Sequence, residues 1–298
     1  MLNKKGWRNT MKTSTEIASI AEFTGYEKAV EYVAKAGFDG FDLSMFDMAM
    51  YDWNTKSVIE NHTPFRGADY LKFVRELKKI GEANGIVCNQ SHAPFPSYIP
   101  EIRSYLKRAI ECTAEAGAEI CVIHPINHEP AEQNAEMFRE LLPFAKECGV
   151  KIAVENMWSW DNEKDCACAA ACSSHGDFLK HLEVVNDPYF VACLDIGHAE
   201  MRGLDTSAEQ MILSLDSHLQ ALHIHDNDLH HDSHQIPFSM DIDFTRVVKA
   251  LKQINYGGWF TLEADQYLTT NYAGGDVQQG VRKLSDAARR LADMFEQE

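Results

Sequence analysis

SYLKRAIECTAEAGAEICVIH, residues 104–124, contains one complete helix-to-strand unit. Its first part has the apolar spacing of an amphipathic helix, and Gly117 is a residue type at which helices commonly end. The apolar run EICVIH (119–124) then predicts a buried strand. A helix that ends on glycine and continues into an apolar strand is half of a βαβ unit, from which parallel sheets are built.

The same unit recurs along the chain. Amphipathic segments at 26–37, 68–85 and 135–149 each end on glycine just before an apolar run. The predicted strands are EIASI (16–20), FDGFDLS (38–44), GIVCNQS (85–91), EICVIH (119–124), VKIAVEN (150–156), FVACLD (190–195), LQALHIH (219–225) and GWFTLEA (258–264). The composition does not change along the chain, and no GxGxxG follows a strand, which disfavours a doubly wound sheet. We therefore predict a single (β/α)8 TIM barrel over residues 1–298, with residues 1–12 as a flexible N-terminal extension.

Composition narrows the function classes. With 45% hydrophobic and 24% charged residues, the chain has the make-up of a globular protein. It lacks an apolar run long enough for a membrane span, and its polar N-terminus lacks the apolar core of a signal peptide. Together with eight cysteines that read as reduced thiols, this predicts a cytoplasmic protein that does not associate with membranes. The net charge of −17 disfavours nucleic acid and favours metal cations and small polar substrates. The sequence is also compatible with a homo-oligomer.

Six consecutive predicted strands end in histidine, aspartate or glutamate. In a (β/α)8 barrel the carboxyl ends of all strands meet at one rim, where active sites are built. The rim residues are His92, His124, Glu155, Asp195 with His198, His223 and His225 with Asp232 and His234, and Glu263. A single histidine at a strand end more often has a structural role. Because six consecutive strands each end in a potential ligand, the pattern as a whole predicts a metal site. Mixed imidazole and carboxylate donors favour Zn²⁺, Mn²⁺, Co²⁺ or Fe²⁺ over Mg²⁺ or Ca²⁺.

At these positions the chain resembles the xylose-isomerase-like barrel superfamily, which contains sugar isomerases and epimerases and also endonuclease IV. The positions that match the single-metal site of the ketose 3-epimerases are Glu155 in VEN, Asp195 in LDIGH, His225 in HIHDND and Glu263 in TLEAD. The resemblance implies a divalent metal, Zn²⁺ or Mn²⁺ first, and a small-molecule sugar substrate. It also implies that Glu155 and Glu263 exchange protons with opposite faces of the sugar, and that His198 contacts the substrate.

Further motifs resemble the additional ligands of endonuclease IV. HAPF, VIHP and DSH imply an accessory metal set, and hence up to three metals, through His92, His124, His198, Asp232 and His234. Two departures weigh against DNA as the substrate. The first strand lacks the histidine-containing opening of endonuclease IV, and QIPFSMDIDF replaces its glycine-rich turn after His234. The ligand set therefore does not by itself select a nuclease.

The histidines of the stretch LHIHDNDLHHDSH (222–234) are predicted to have different roles. His225 is the predicted primary ligand, and His223, two residues earlier, is predicted to lie deeper in the barrel as support. His231 is included among candidate substrate contacts, although solvent exposure is the alternative for it. The remaining candidate substrate contacts are aromatic residues on the long loops 45–66 and 157–177, for which loop packing is an equal alternative: Phe46, Trp158 and Trp160.

The preferred function is metal-dependent isomerisation or epimerisation of a sugar or sugar derivative through an enediolate. Three alternatives stay open: phosphodiester hydrolysis at abasic DNA, dehydration or β-elimination of a keto-sugar, and a barrel that only binds a ligand. In DCACAAACSSHGD (165–177), Cys166, Cys168, Cys172 and His175 either bind another metal or form a short segment of small packing residues.

Overall fold

A ring of eight parallel strands forms the centre of the protein in a computed structural model that describes residues 10–297. The ring strands are β1 (Thr13–Thr15), β2 (Gly40–Ser44), β5 (Val87–His92), β6 (Ile120–Ile123), β7 (Lys151–Glu155), β10 (Phe190–Asp195), β11 (Leu219–His223) and β12 (Phe260–Leu262). Six of them form one sheet in the order β2-β5-β6-β7-β10-β11, and β1 pairs with β12. Parallel bridges from Glu16 to Asp42 and from Ile224 to Leu262 join the two sheets on both sides. The ring therefore closes, which confirms the predicted (β/α)8 barrel.

The helices pack around this ring. They are α1 (Ala18–Thr24), α2 (Tyr26–Ala36), α3 (Tyr70–Ala83), α4 (Pro100–Ser104), α5 (Leu106–Ala116), α6 (Ala131–Glu147), α7 (His175–Val185), α8 (Ile196–Glu200), α9 (Ala208–Leu215), α10 (Phe244–Gln253), α11 (Asp265–Tyr272) and α12 (Val277–Gln297). In the opening stretch, α5 ends at Gly117, which adopts the left-handed conformation (φ 85°) that glycine tolerates best. Within residues 10–297, no helix combines the length and apolarity that a membrane crossing requires.

The first strand differs from the prediction. EIASI (16–20) was expected to be a strand, but β1 ends at Thr15 and helix α1 begins at Ala18. The Glu16 carboxylate accepts a hydrogen bond from the Ser19 amide (3.0 Å), which turns the chain into the helix. A run of five residues is too short for its apolar pattern to separate a strand from a buried helical turn.

The predicted flexible N-terminal extension, residues 1–12, stays a prediction, and the structure describes its last three residues. Residues 1–9 lie outside the described residues. The amide of Met11 donates to Glu296 Oε1 (3.0 Å), and its carbonyl accepts from Arg289 (3.1 Å). The carbonyl of Lys12 accepts from the Phe260 amide (2.9 Å). Met11 and Lys12 therefore belong to the barrel.

Both long loops fold back as hairpins. The loop after β2 contains β3 (Met50–Asp52) paired with β4 (Ser57–Ile59), and the loop after β7 contains β8 (Ser159–Asp161) paired with β9 (Cys166–Cys168). Because both hairpins follow the carboxyl ends of ring strands, both lie on the rim where the predicted site residues converge.

A small apolar cluster lies two residues before the rim side chains. Side chains alternate along a strand, so a residue two positions before a rim group points the same way, one layer deeper. Ala153 stands in this relation to Glu155, and Cys193 to Asp195. The cluster consists of small and medium side chains that fill a narrow interior: Val122, Ala153, Val191, Cys193 and Ala221. This layer closes the barrel beneath the polar rim.

Candidate metal centre and active site

Two glutamates from distant strands meet at one histidine. Glu155 ends β7, the fifth ring strand, and Glu263 follows β12, the eighth. The Nδ1 atom of His223 lies 3.1 Å from Glu155 Oε1 and 3.3 Å from Glu263 Oε2. Ligand atoms of these three residues and of Asp195 all lie within 4.8 Å of one another. The two carboxylates therefore approach one point from different sides of the barrel.

A second contact set surrounds the other oxygen of Glu155. His92 Nε2 lies 3.3 Å and His124 Nε2 lies 3.2 Å from Glu155 Oε2. The two Nε2 atoms are themselves only 3.0 Å apart. Glu155 thus contacts His223 with one carboxylate oxygen and this histidine pair with the other, which is the geometry of a bridging ligand.

The third set lies around Asp232. His225 Nε2 is 3.1 Å from Asp195 Oδ1 and 3.5 Å from Asp232 Oδ1. His198 Nε2 and His234 Nε2 each lie 3.2 Å from Asp232 Oδ2. Ligand atoms of His198, His225, Asp232 and His234 fall within 4.8 Å of one another. The predicted accessory ligands are therefore brought together, adjacent to the predicted primary ones.

Backbone carbonyls fix the orientation of three of these rings. The Nδ1 atoms of His92, His198 and His234 lie 2.7–2.8 Å from the carbonyl oxygens of Ala93, Asn156 and Glu263, respectively. A carbonyl only accepts, so each Nδ1 donates, and in the neutral ring Nε2 then carries the lone pair. Each of these Nε2 atoms faces a carboxylate oxygen. Hydrogen bonding of the outer nitrogen is how proteins orient histidine as a metal ligand.

The donor atoms fit a divalent cation. Five atoms of the clusters are buried without a hydrogen-bond partner: Glu155 Oε2, Asp195 Oδ2, His223 Nε2, His225 Nε2 and Asp232 Oδ1. An unpaired buried acceptor is costly, and lone pairs that face carboxylate oxygens repel them. A metal ion between these groups relieves both penalties. The mixed nitrogen and oxygen donors suit Zn²⁺ or Mn²⁺.

The close packing of buried histidines and carboxylates in these clusters shifts their pKa values. Burial lowers the pKa of His124 to about 4, so its ring is neutral and able to bind a metal. Burial opposes the charged form of His198, but Asp195 and Asp232 raise its pKa to about 10. Burial raises the pKa of Glu263 well above its usual range. For Glu155, burial is outweighed by His223 and His124, which hold its pKa well below its usual range.

The chain between the ligands is held by its own polar side chains. Asn156 joins β7 to β10: its Oδ1 accepts from the Asp195 amide (2.8 Å), and its Nδ2 donates to the Asp195 carbonyl (2.9 Å). Asp195 Oδ1 caps helix α8 through the His198 amide (2.7 Å). Asp226 accepts from the amides of Met240 (2.8 Å) and Ile242 (3.1 Å), which holds the end of the histidine-rich loop. The motifs VEN, LDIGH and HIHDND therefore supply both ligands and their supports.

Glu16 is a buried carboxylate at the same rim that none of these clusters uses. Burial, followed by the charge of Asp265, raises its pKa to about 7. The folded state therefore holds this proton more tightly than the unfolded state, and stability falls as pH rises from about 4.5 through about 7.

We expect Glu16→Gln to remove that pH dependence. The uncharged amide retains an acceptor for the Ser19 amide, so the variant should gain up to about 3 kcal/mol over wild type at pH 8.5, but not at pH 4. Denaturant unfolding at both pH values measures this. A constant difference between the two proteins across pH would contradict the assignment.

A cavity of about 580 Å³ opens above the glutamates. The ligands that line it are His92, His124, Glu155, His198, Asp232, His234 and Glu263. Phe46, Trp158 and Trp160 line it as well, so the three aromatic candidates lie where a substrate contact requires them. Trp158 Nε1 also donates to Asp232 Oδ2 (3.1 Å). A molecule in this cavity would reach both the metal donors and an aromatic wall.

Two of the candidate groups predicted from the sequence, His231 and the cysteines of residues 165–177, lie outside the cavity lining and the donor clusters. His231 is exposed, its Nδ1 lies 2.8 Å from Asp228 Oδ2, and its ring stacks on Trp160 at 6.0 Å, outside the cavity wall. Among residues 10–297, no group of potential metal donors includes a cysteine. Cys172 is buried in the main core, and Cys166 and Cys168 lie on strand β9.

Other cavity residues were missed by the sequence reasoning. Asp265, two residues after Glu263, also lines the cavity. Its position in the same TLEAD motif as Glu263 could have indicated this. Trp53 and Tyr98 also line it, although a single aromatic residue in a loop has no pattern that points to a site. His223 was predicted as support and does contact Asp42, at 3.6 Å, one layer deeper. It also contacts both glutamates.

The fold agrees with a comparison of the chain with known protein families. The family described as xylose isomerase-like TIM barrel matches residues 30–297. The chain belongs to this family. An uncharacterized protein of Methanocaldococcus jannaschii is 24% identical over 238 residues, which are 74% of this chain and 78% of that protein.

Solved structures extend the comparison to sugar epimerases. A D-tagatose 3-epimerase-like protein superimposes with a TM-score of 0.71 at 20% identity, over 96% of this chain and 99% of that one. The 3-keto-D-glucoside 4-epimerase from E. coli gives a TM-score of 0.67 at 16% identity, over 95% and 99%. At these identities the likeness establishes the shared barrel.

Proposed function

We propose that the protein is a divalent-metal-dependent isomerase or epimerase of a sugar or sugar derivative. The observation that carries the proposal is the meeting of Glu155 and Glu263 at one metal-sized point, within a cavity of about 580 Å³. The names of the similar structures, a 3-epimerase-like protein and a 4-epimerase, support it. The proposed primary metal residues are Glu155, Asp195, His225 and Glu263; Asp195 links His225 (3.1 Å) to the donor group that contains both glutamates and His223. The proposed accessory ligands are His92, His124, His198, Asp232 and His234.

The two glutamates provide the proton transfer. One carboxylate takes the proton from a carbon next to a carbonyl, and the C–H electron pair moves toward the carbonyl oxygen to give an enediolate. The other carboxyl group returns a proton to that carbon from the opposite face, which inverts its configuration. After one turnover the two groups have exchanged protonation states. The bound metal supplies the Lewis acidity that polarises the carbonyl.

The remaining residues orient the sugar and limit its access to water. We assign to His198, which lines the cavity beside Asp232, a contact with a substrate hydroxyl; its position in the lining supports this role. Phe46, Trp158 and Trp160 give the cavity an apolar wall, on which the C–H face of a sugar ring packs. Dehydration of a keto-sugar would begin with the same proton abstraction, so product analysis has to separate the two outcomes.

Exchange of solvent deuterium tests the proposal. Mn²⁺-loaded protein is incubated in D2O with D-tagatose, D-fructose and 3-keto-D-glucosides, and NMR follows deuterium at the carbon next to the carbonyl. We expect metal-dependent incorporation together with a new epimer or isomer. Nicking of an abasic duplex without any exchange into these sugars would overturn the proposal.

Metal removal should also lower stability. An ion that binds only the folded state stabilises it by about 2.7 kcal/mol at a hundredfold excess over Kd. For a chain of this size, we expect chelation to lower Tm by roughly 5 °C, and Mn²⁺ or Zn²⁺ to restore it. Differential scanning calorimetry measures the shift, and elemental analysis gives the number of ions per chain. An unchanged Tm after complete removal would contradict the proposed ligand set.

A further inference from the structure

The cavity extends beyond the space that a single sugar ring needs. Pockets of about 300–1,000 Å³ generally hold drug-sized ligands, and this cavity measures about 580 Å³. A monosaccharide held at Glu155 and Glu263 therefore leaves its outer part free. The lining of that outer part indicates what it binds.

Two of the most exposed aromatic side chains in the described protein lie at the mouth of this cavity. Trp53, at the turn of the β3–β4 hairpin, is 59% exposed, and Tyr98 is 41% exposed. Trp53 packs edge-on against Tyr51, with centroids 5.0 Å apart. Large aromatic groups left in water beside a catalytic cavity are typical of ligand contacts.

Aromatic rings connect this mouth to the metal ligands. Phe95 stacks on His124 (4.7 Å) and contacts Phe46 edge-on (5.6 Å), and Phe46 contacts His92 (4.9 Å). Phe95 also lies three residues before Tyr98 in the same loop. One wall of the cavity is therefore aromatic from its floor to its mouth, a surface suited to a ligand with two flat or ring-shaped parts.

Among the described residues, the cavity lining lacks the two side chains that carry a permanent positive charge, lysine and arginine. Those are the residues that proteins use to bind phosphate and carboxylate groups. Glu155, Asp232, Glu263 and Asp265 line it instead, and Asp265 occupies the first turn of helix α11. A phosphate group on the part of a sugar that lies away from the proposed metal ligands would find no lysine or arginine partner in this lining.

From these observations we infer that the substrate is an uncharged glycoside, whose sugar ring lies at the glutamates and whose aglycone packs on Trp53 and Tyr98. This inference rests on the proposed function and names its substrate class. In a glycoside the anomeric carbon is tied up as an acetal. The carbonyl beside the exchanged proton must then belong to another ring carbon, so the substrate is a keto-glycoside.

Ligand binding tests the aglycone site separately from turnover. Isothermal titration of the Mn²⁺-loaded full chain compares methyl β-D-glucopyranoside, phenyl β-D-glucopyranoside, cellobiose and D-glucose 6-phosphate. We expect the phenyl glucoside and cellobiose to bind at least about tenfold more tightly than the methyl glucoside. D-glucose 6-phosphate should bind most weakly.

Substitutions at the mouth of the cavity test whether Trp53 and Tyr98 cause the tighter binding of phenyl glucoside and cellobiose. Trp53→Ala and Tyr98→Ala should each remove most of the tenfold gain while leaving methyl glucoside binding unchanged. The matched control is Leu213→Ala, an exposed apolar residue (38%) on helix α9 away from the cavity, which should change nothing. Equal affinity for methyl and phenyl glucosides, no binding of any glycoside, or preference for the phosphate would each overturn the inference.

Two further outcomes are distinguishable. If the aglycone preference is observed but no deuterium exchange occurs with any keto-sugar, the binding site stands and the proposed function fails. If light scattering shows that Trp53→Ala dissociates an oligomer while the glycoside affinities stay unchanged, the hairpin is an interface between copies, and the aglycone site is overturned.

Discussion

Glu263→Gln is expected to lower kcat by about 10³-fold or more while the protein keeps its fold. General acid–base groups contribute roughly 10²–10⁴-fold to turnover, and the amide can neither take nor return a proton. The glutamine amide has nearly the same shape as the carboxylate, and its oxygen can still accept from His223 Nδ1, which lies 3.3 Å from Glu263 Oε2 in the wild type. Steady-state kinetics and deuterium exchange on the best substrate of the panel measure the loss.

The control for this variant is Gln266→Ala, a change at the residue directly after Asp265 in helix α11. Gln266 contacts only its neighbours Asp265 and Thr269 through its side chain, and it does not line the cavity. Its activity should stay within about twofold of wild type. Retained turnover in Glu263→Gln would remove Glu263 from the acid–base pair. Loss of activity together with a lost metal ion would assign it to metal binding alone.

Gly197→Ala is expected to weaken metal binding by at least about a hundredfold. A Cβ atom at residue 197 would lie 2.0 Å from His225 Cε1 and 2.4 Å from its Nε2. The His225 ring is fully buried and stacks on the His234 ring with centroids 3.8 Å apart, so we expect it to leave its position opposite Asp195. Metal affinity falls 10- to 100-fold even when only a supporting group around a ligand is lost.

Gly176→Ala provides a matched control because a Cβ atom there meets nothing within 4 Å. Gly176 lies in helix α7, where alanine should be neutral or slightly stabilising. Competition with a chromophoric chelator gives the metal affinity of both variants, and circular dichroism verifies that both are folded. Equal metal affinity in Gly197→Ala and wild type would show that His225 is not a ligand.

Much of the barrel could be predicted because its signal is repeated. Helices that end on glycine precede four of the ring strands, and apolar runs indicate three more, so seven of the eight ring strands were predicted at nearly the observed positions. The first strand was misplaced because EIASI is too short for periodicity and because a distant side chain holds the start of a helix there. Ser44 Oγ accepts hydrogen bonds from the amides of Ile17 and Ala18 (both 3.1 Å). Local patterns do not record such side-chain contacts.

The candidate ligands were predictable for a different reason: parallel strands in a closed ring deliver their last residues to one place. This rule places Glu155, Asp195 and Glu263 together without any coordinates. It does not place residues on loops, whose paths depend on packing. The position of His231 outside the cavity and of Trp53 at its mouth therefore emerges only from the folded chain.

The β3–β4 hairpin has a consequence for how this barrel can diverge. The proposed primary metal ligands lie in ring strands or just after them, whereas Trp53 lies at the turn of a hairpin whose two strands pair with each other. Insertions, deletions or exchanges in residues 50–59 would leave the ring ladder intact. Substrate range and reaction chemistry are therefore encoded in separable stretches of the chain, and a transplanted hairpin should carry its ligand preference into a related barrel.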